Sequence, residues 1–449
     1  MTRRTGAVFA IAALVALGAA ALSRSDAPRP IPLAAQPIHG TALAIVWRLE
    51  ASNSPLGTLR VLNVRTLKPA NNARLVLGRN LAGWNRSPDG SKLALLRDRA
   101  ETGAPDYAFL RLVDLHAWKR AGQVDLGDGS PRTVAWLRAD RIVVLQDTSA
   151  GFVVSVVDPG SHRVVSRRTV AERLLQVGRS ASSLVLVTAP PASIGTAKLE
   201  VVDAQGAIRS TVLDQTLAGA TPVDEEQPEI AKARVPALAV DAAGNTAYVL
   251  GANEPVASVD LASLTVAYHS LASPVSLLRR VDEWLQPSAE AKGESGPFRD
   301  ATWLGDGLIA VGGTDESASM GSDNRLQMHV EPAGVNLVDT HDWSVRTIDG
   351  RASSFVRAGS DLLVTGATYD SSWAAPRAIG VVDYGSDGSQ RFTVLRNQDA
   401  WVALVAGGRA FVEVANDLSR VVDLKTGKIV GQRLAPIPWL LVGDPLDSR

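Results

Sequence analysis

The chain has 449 residues, 46% hydrophobic and 20% charged, with 46 basic and 46 acidic side chains. That composition is ordinary for a globular protein able to bury a sizeable core, and zero net charge removes the electrostatic reason to expect nucleic acid or an anionic membrane as partner. The lack of any cysteine excludes disulfides, thiolate metal sites, cysteine nucleophiles and a cysteine-linked lipid.

Arg3 and Arg4 precede an apolar run at residues 7–22, with small residues at Ala19, Ala20 and Ala21. A basic start, an apolar stretch and small residues at its end are the order of an export signal, assigned to residues 1–24. The run of 16 falls short of the ~20 apolar residues that cross a bilayer, which favours cleavage over anchoring. Any membrane proximity would come from this segment alone, and the mature protein is expected outside the cytoplasm, secreted or in the cell envelope. Residues 25–40 form a Pro-rich spacer, and residues 41–449 read as one repeating domain.

The repeat shows in a short apolar run that ends in Asp, or once in Asn, and is followed by a turn and a second β-type run. Its anchors are Asn63, Asp114, Asp158, Asp203, Asp260, Asp339, Asp383 and Asp423, spaced by 51, 44, 45, 57, 79, 44 and 40 residues. Units of that length suit the four-stranded blade of a β-propeller, with strands A to D and the anchor closing strand C. Turns such as Ser87-Pro88-Asp89-Gly90 separate strands A and B, where Asp, Gly and Pro supply the backbone angles a tight turn needs. Residues 41–48 read as a strand B lacking a strand A, and the final PIPWLLVGD reads as a strand A lacking a strand B. The fold class is therefore all-β, a propeller whose C-terminal strand, at residues 438–442, pairs beside residues 41–48. Eight units give eight blades, or seven if the irregular stretch around blade 5 or 6 is not a unit.

The segment WNRSPDGSKLALLRD (84–98) resembles the SPDG repeat of Tol-Pal-type and WD-like bacterial propellers, with two extra residues between Trp84 and Ser87. VDAAGNTAYVLG (240–251) and VASVDLASLTV (256–266) are similar to the YVTN family of surface-layer-type propellers. The resemblance implies a bacterial extracytoplasmic propeller and leaves activity open, because such folds host scaffolds, hydrolases, lyases and oxidoreductases.

Little local chemistry is legible. The six histidines lack any paired metal spacing, and GxSxG, GxGxxG and Walker patterns are absent. The D-x-x-T-G turn of quinoprotein blades occurs once, at Asp423 to Gly427, without its tryptophan, so no cofactor is expected. Trp84, Trp136, Trp303, Trp401 and Trp439 fall on or beside A strands, where wedging between blades is the expectation and a ring facing the central channel the alternative.

The functional signal lies in loop length. A-to-B and C-to-D connections are short, whereas the long ones, at 215–234, 272–298, 314–333 and 367–377, are all B-to-C or D-to-A. In an up-and-down blade those two classes emerge on one face, and insertions gathered on one face of a repeat fold often mark binding. Short helices are expected at 274–286 and from Thr221-Pro222. The candidate ligand residues are Asp282, Glu283 and Trp284 on the first helix, Asp315, Glu316 and Asp323 in the third loop, and Tyr369, Asp370 and Trp373 in the fourth. Acids with aromatics suit a sugar, a cationic peptide or a Ca²⁺ ion, and metal binding stays open. The expected function is a monomeric, non-enzymatic scaffold for a protein or carbohydrate ligand; the alternative is a propeller enzyme with carboxylates at the channel mouth.

Overall fold

The computed structural model describes residues 40–48, 56–98, 107–221, 232–272, 294–320, 326–369, 377–414, 418–433 and 437–441. These form an all-β propeller of eight sheets, each an antiparallel A-B-C-D meander, and none of the described residues is helical. The irregular stretch proves to hold two true units: blade 5 is a short meander beginning at Ala237–Val240, and blade 6 runs from Glu294–Gly305 to Val345–Asp349. Ring closure is as the two chain ends suggest. The C-terminal strand Trp439–Leu440 pairs with Thr41–Arg48, in the register Ala44 to Leu440 and Ile45 to Trp439, and the Leu441 amide donates to Leu43 at 2.8 Å. The seam removes what would be an open sheet edge.

The anchor of each repeat has a local task. The Oδ1 of Asn63 accepts the amides of Arg65 and Thr66, and Asp114, Asp158 and Asp260 take the amides two and three residues on in the same way. The residue four beyond the anchor then turns left-handed, as at Leu67 (φ 51°), Trp118 (φ 51°), His162 (φ 56°), Leu264 (φ 60°) and Trp343 (φ 59°). A short carboxylate or amide side chain can satisfy these turn amides and release the chain into strand D. The SPDG turn works similarly: Ser87 Oγ and Ser91 Oγ both donate to Asp89, whose carboxyl is held down at about 2, chiefly by Ser87.

Asp383 departs from this rule. Tyr384 extends its strand, Asp387 caps the turn instead by accepting the Ser389 amide at 2.9 Å, and Asp383 is left buried.

The core is a ring of clusters between blades rather than one central mass. Leu404 and Phe411 of blade 8, Leu59 and Leu77 of blade 1 and Leu93 and Leu95 of blade 2 share one cluster. Trp136 joins Ala94, Leu96 and Val144 in another between blades 2 and 3. Both side-chain rows of an alternating strand therefore meet a neighbouring blade, which is why the B and C strands read as continuous apolar runs rather than half-polar ones.

Candidate functional site

Among the described residues, the parts of the long connections nearest blades 4, 6 and 7 meet by backbone pairing, and much of what reads as loop is strand. Strand D of blade 4, Ile208–Ala220, continues beyond its blade and pairs with Ala233–Arg234. Val235 next pairs in parallel with the start of blade 6: its amide donates to Pro297 at 3.0 Å and its carbonyl accepts the Arg299 amide at 2.9 Å. Strands A and B of blade 6, Glu294–Gly305 and Leu308–Met320, stay paired far past the blade body, and Leu326–Pro332 adds a further strand. Val330 finally exchanges two 2.9 Å bonds with Tyr369 at the end of strand B in blade 7. The result is a crown sheet of continuous backbone pairing that runs from blade 4 to blade 7. Two glycines let the strands approach: a Cβ on Gly296 (φ 104°) would lie 1.8 Å from the Ala233 carbonyl, and one on Gly313 (φ 149°) would lie 1.9 Å from that of Phe298.

Two charged side chains root the crown. Arg299, 3% exposed, donates to the Thr314 carbonyl at 2.9 Å and to Asp315 Oδ1 at 2.8 Å, while Gln176 of blade 4 donates to the Arg299 carbonyl at 3.1 Å. Burial lowers the Arg299 pKa, and Asp315 opposes that shift. Glu254, in the tight B-to-C turn of blade 5, accepts the Leu217 amide and the Arg234 guanidinium, both at 3.1 Å; burial raises its pKa against those bonds. Blade 5 is short, and the blade 4 hairpin is clamped onto it.

This geometry changes the meaning of several residues. Asp315 and Glu316 lie on a strand, not in a loop, and the Asp315 carboxylate is engaged with Arg299. Cross-strand register places Asp315 opposite Glu331 and Ser317 opposite His329, and His329 Nε2 lies 2.9 Å from Glu331. Tyr369 donates its hydroxyl to Asp399 Oδ2 at 2.5 Å, which together with burial raises the phenol pKa. Thr221, where a helix is expected to begin, bonds Lys232 at the base of the blade 4 hairpin, and the rest of that expected helix lies outside the described residues. Asp282, Glu283, Trp284, Asp323, Asp370, Trp373 and the helix expected at 274–286 lie outside the described residues. Ala272, the last described residue before that segment, is held at the outer edge of blade 6, where its amide donates to the Trp343 carbonyl at 2.7 Å.

Trp84 and Trp136 are wedged between blades, Trp303 stacks on Tyr248 at 5.5 Å and Trp439 meets Trp47 edge-on at 4.9 Å. Trp401 does not follow the wedge expectation, since it is 44% exposed. It sits second in strand A of blade 8, Ala400–Ala406, where the buried Ala400 and Val402 take the side facing blade 7 and turn the indole the other way. Arg299, Glu254, Glu331 and Asp399 escape sequence reading because each is a single charge with no motif around it.

The remaining perturbed acids do not converge. Glu200, 3% exposed and raised by burial, accepts Thr188 Oγ1 at 3.2 Å on the blade 4 side that faces blade 3. Asp383, also 3% exposed, is raised to about 6 by burial and by Asp361, against the pull of Arg391. It lies at the opposite, short-turn end of blade 7. Ser258 Oγ lies 2.8 Å from His269 Nε2, whose ring stacks on Trp343 at 3.8 Å, far out on strands C and D of blade 5. Among the described residues no three His, Asp or Glu side chains group as metal ligands.

No protein-family model matches the chain, and no curated protein sequence matches it. Solved structures do. The chain is similar to a prolyl endopeptidase (TM-score 0.43, 14% identity), covering 99% of its own length but only 55% of that protein. It is also similar to the WD40 domain of Toxoplasma gondii coronin (TM-score 0.40, 11% identity, 89% and 87% of the two chains). A third match is Chaetomium thermophilum Sqt1, solved with the N-terminus of ribosomal protein L10 (TM-score 0.45, 12% identity, 78% and 86%). At these identities the likeness concerns the propeller fold.

Proposed function

We propose that the chain is an exported, monomeric scaffold of the SPDG and YVTN-like kind, binding a protein or carbohydrate ligand on the long-loop face of blades 4 to 7. The observation that carries this reading is the crown sheet. Long insertions in a surface loop are tolerated without being required for stability. Here they are joined by backbone pairing across four blades and rooted by Arg299 and Glu254. A pre-ordered surface of that kind lowers the entropy lost on binding. The enzyme alternative needs acids of shifted pKa gathered with a cation in one cleft, whereas Glu200, Glu254 and Asp383 belong to three different places in the ring.

Two measurements test the reading. N-terminal sequencing of extracytoplasmic material is expected to find the mature chain beginning between residues 21 and 35; an intact Met1 start held in membranes would refute export by cleavage. A partner recovered with the full chain should bind Glu316→Gln and Glu331→Gln at least ~10-fold more weakly, while Lys425→Gln on the opposite face changes nothing. Equal losses from both faces, or none from either, would overturn the crown as the binding face.

A further inference from the structure

Zero net charge conceals a division around the ring. Residues 41–170, which build blades 1 to 3, carry 19 Lys and Arg against 11 Asp and Glu, whereas residues 171–398, which build blades 4 to 7, carry 17 against 28. Blades follow one another around a propeller, so one arc of the ring is basic and the arc that bears the crown is acidic. The basic charge gathers on the rim. The outermost strands of blades 1, 2 and 3 are Pro69–Gly78, Lys119–Asp128 and Arg163–Val170, and Arg74, Lys119, Arg120, Arg163, Arg167 and Arg168 are all exposed on them. Only Asp125 and Asp128 oppose them on these strands, and both Asp125 oxygens are taken up locally, by the Tyr107 hydroxyl and the Gly127 amide. Among the described residues none of the six basic groups has a carboxylate partner; Arg120 and Arg167 donate to backbone carbonyls, of Val76 and of Leu126 and Asp128.

The same excess continues into the joint between blades 1 and 2. Arg97 and Arg111 donate to the carbonyls of Arg79 and Leu77, next to the one that Arg120 takes, and both guanidiniums meet the Phe109 ring, at 4.7 and 5.9 Å from its centre. The Arg111 pKa is lowered to about 10, chiefly by burial and further by Arg97 and Arg120. In the crown, by contrast, the buried Arg299 is met by Asp315. Each guanidinium has five N–H donors in a fork that fits carboxylates and related oxyanions, and the carbonyls occupy only part of each fork.

Three features of the rim select its occupant. The row of charges turns with the ring from blade to blade, so a flat bilayer would meet only part of it, whereas a flexible polymer can follow it. None of the three outer strands contains Phe, Tyr or Trp, the platforms on which single-stranded nucleic acid stacks its bases. Asn72 and Thr169, exposed among the charges, offer donors as well as acceptors. Sugar hydroxyls use both, and the acceptor-only carboxylate side chains of an acidic peptide do not.

We propose that the outer strands of blades 1 to 3 hold a linear acidic polysaccharide, whose carboxylate or sulfate groups are met by Arg120, Arg163, Arg167 and Arg168. This site lies on a different arc from the crown and stands whether or not the crown itself binds a ligand.

The test measures binding of the full chain to heparin, which carries sulfates, and to polygalacturonate, which carries carboxylates. Polyglutamate, duplex DNA and vesicles of anionic phospholipid are the comparisons. At least one of the two polysaccharides should bind, and binding should weaken when salt rises from about 50 to 500 mM, because exposed charges are screened. Affinity should fall at least ~10-fold in the double variant Arg163→Gln/Arg168→Gln and several-fold in Arg120→Gln, as charge-assisted bonds are removed. Lys428→Gln, on the outer strand of blade 8, should leave it unchanged, and every variant should keep the wild-type melting temperature. Failure of both polysaccharides to bind, binding indifferent to Arg163→Gln/Arg168→Gln, or polyglutamate, DNA or vesicles held as tightly through the same arginines would overturn the proposal.

Discussion

On the face that carries the A-to-B and C-to-D turns, order is made within each turn. An anchor side chain takes up amides two or three residues away, and the contacts between blades here are single arginines that donate to a neighbouring turn's carbonyls, as Arg209 does to Leu261 and Ala262 and Arg346 to Ser386. On the opposite face, order is made between blades: Val235 pairs with blade 6, Val330 with Tyr369 of blade 7, and Glu254 of blade 5 with Leu217 and Arg234. In the first arrangement the loss of an anchor falls mainly on its own turn. The second couples four blades, so a change at one root is expected to loosen the whole surface.

The largest difference should come from Arg299→Met. It removes a buried guanidinium and leaves Asp315 and the Thr314 carbonyl without their partner, an imbalance of about 2–4 kcal/mol. Melting curves should show that loss, and limited proteolysis should cut first in the crown, within 294–332. A cut pattern spread evenly over the ring would mean that Arg299 serves the ring as a whole.

Asp383 sharpens the comparison because it is the one anchor that no longer serves its own turn. Its Oδ1 accepts no hydrogen bond from the protein. Its folded pKa of about 6 lies above the ordinary 3.8, so the folded state holds the proton more tightly than the unfolded chain does. The stability this confers is fully present below about pH 4 and is lost as pH rises through about 6. Asp383→Asn should therefore stabilise the protein at pH 8, on the order of 2 kcal/mol for a shift of this size, and the gain should vanish near pH 4. Denaturant midpoints at the two pH values measure it, and a gain equal at both would show that the carboxyl is ionised throughout. Asp89 has the opposite sign. Its pKa is depressed to about 2, so its contribution is present above 3.8 and disappears as pH falls through 2.

The smallest effect is expected from Asn63→Ala, which removes a local cap from a single turn at about 1 kcal/mol. Crown proteolysis should stay unchanged. A loosened crown in this variant would erase the distinction between the two faces.

The same distinction explains what could be read from the chain. Asp114, Asp158 and Asp260 announce themselves because their hydrogen bonds reach only two or three residues, and a period of eight such anchors implies the blades. Loop length also separates the face of long connections from that of short turns, since the division follows from strand parity. What escaped was the pairing itself: Val235 meets Phe298, and Val330 meets Tyr369, across separations that leave no periodic trace in sequence. Asp315 and Glu316 looked like free loop acids for that reason, and Arg299, the group that fixes Asp315, carries no signal at all. Trp401 departs from the wedge expectation because alternation assigns a residue to one side of a strand and carries no information on how deeply that side is covered at the strand's end.

Amide hydrogen exchange resolved at Val235, Arg299, Val330 and Tyr369 tests the crown most directly. If the sheet is continuous, these four amides should exchange at least ~100-fold more slowly than an unstructured chain, and all four should lose protection together in Arg299→Met while Ile45 and Leu95 in the blade cores keep theirs. Free exchange at Val235 and Val330 in the native protein, with the blade cores protected, would contradict the sheet and return the long connections to independent loops.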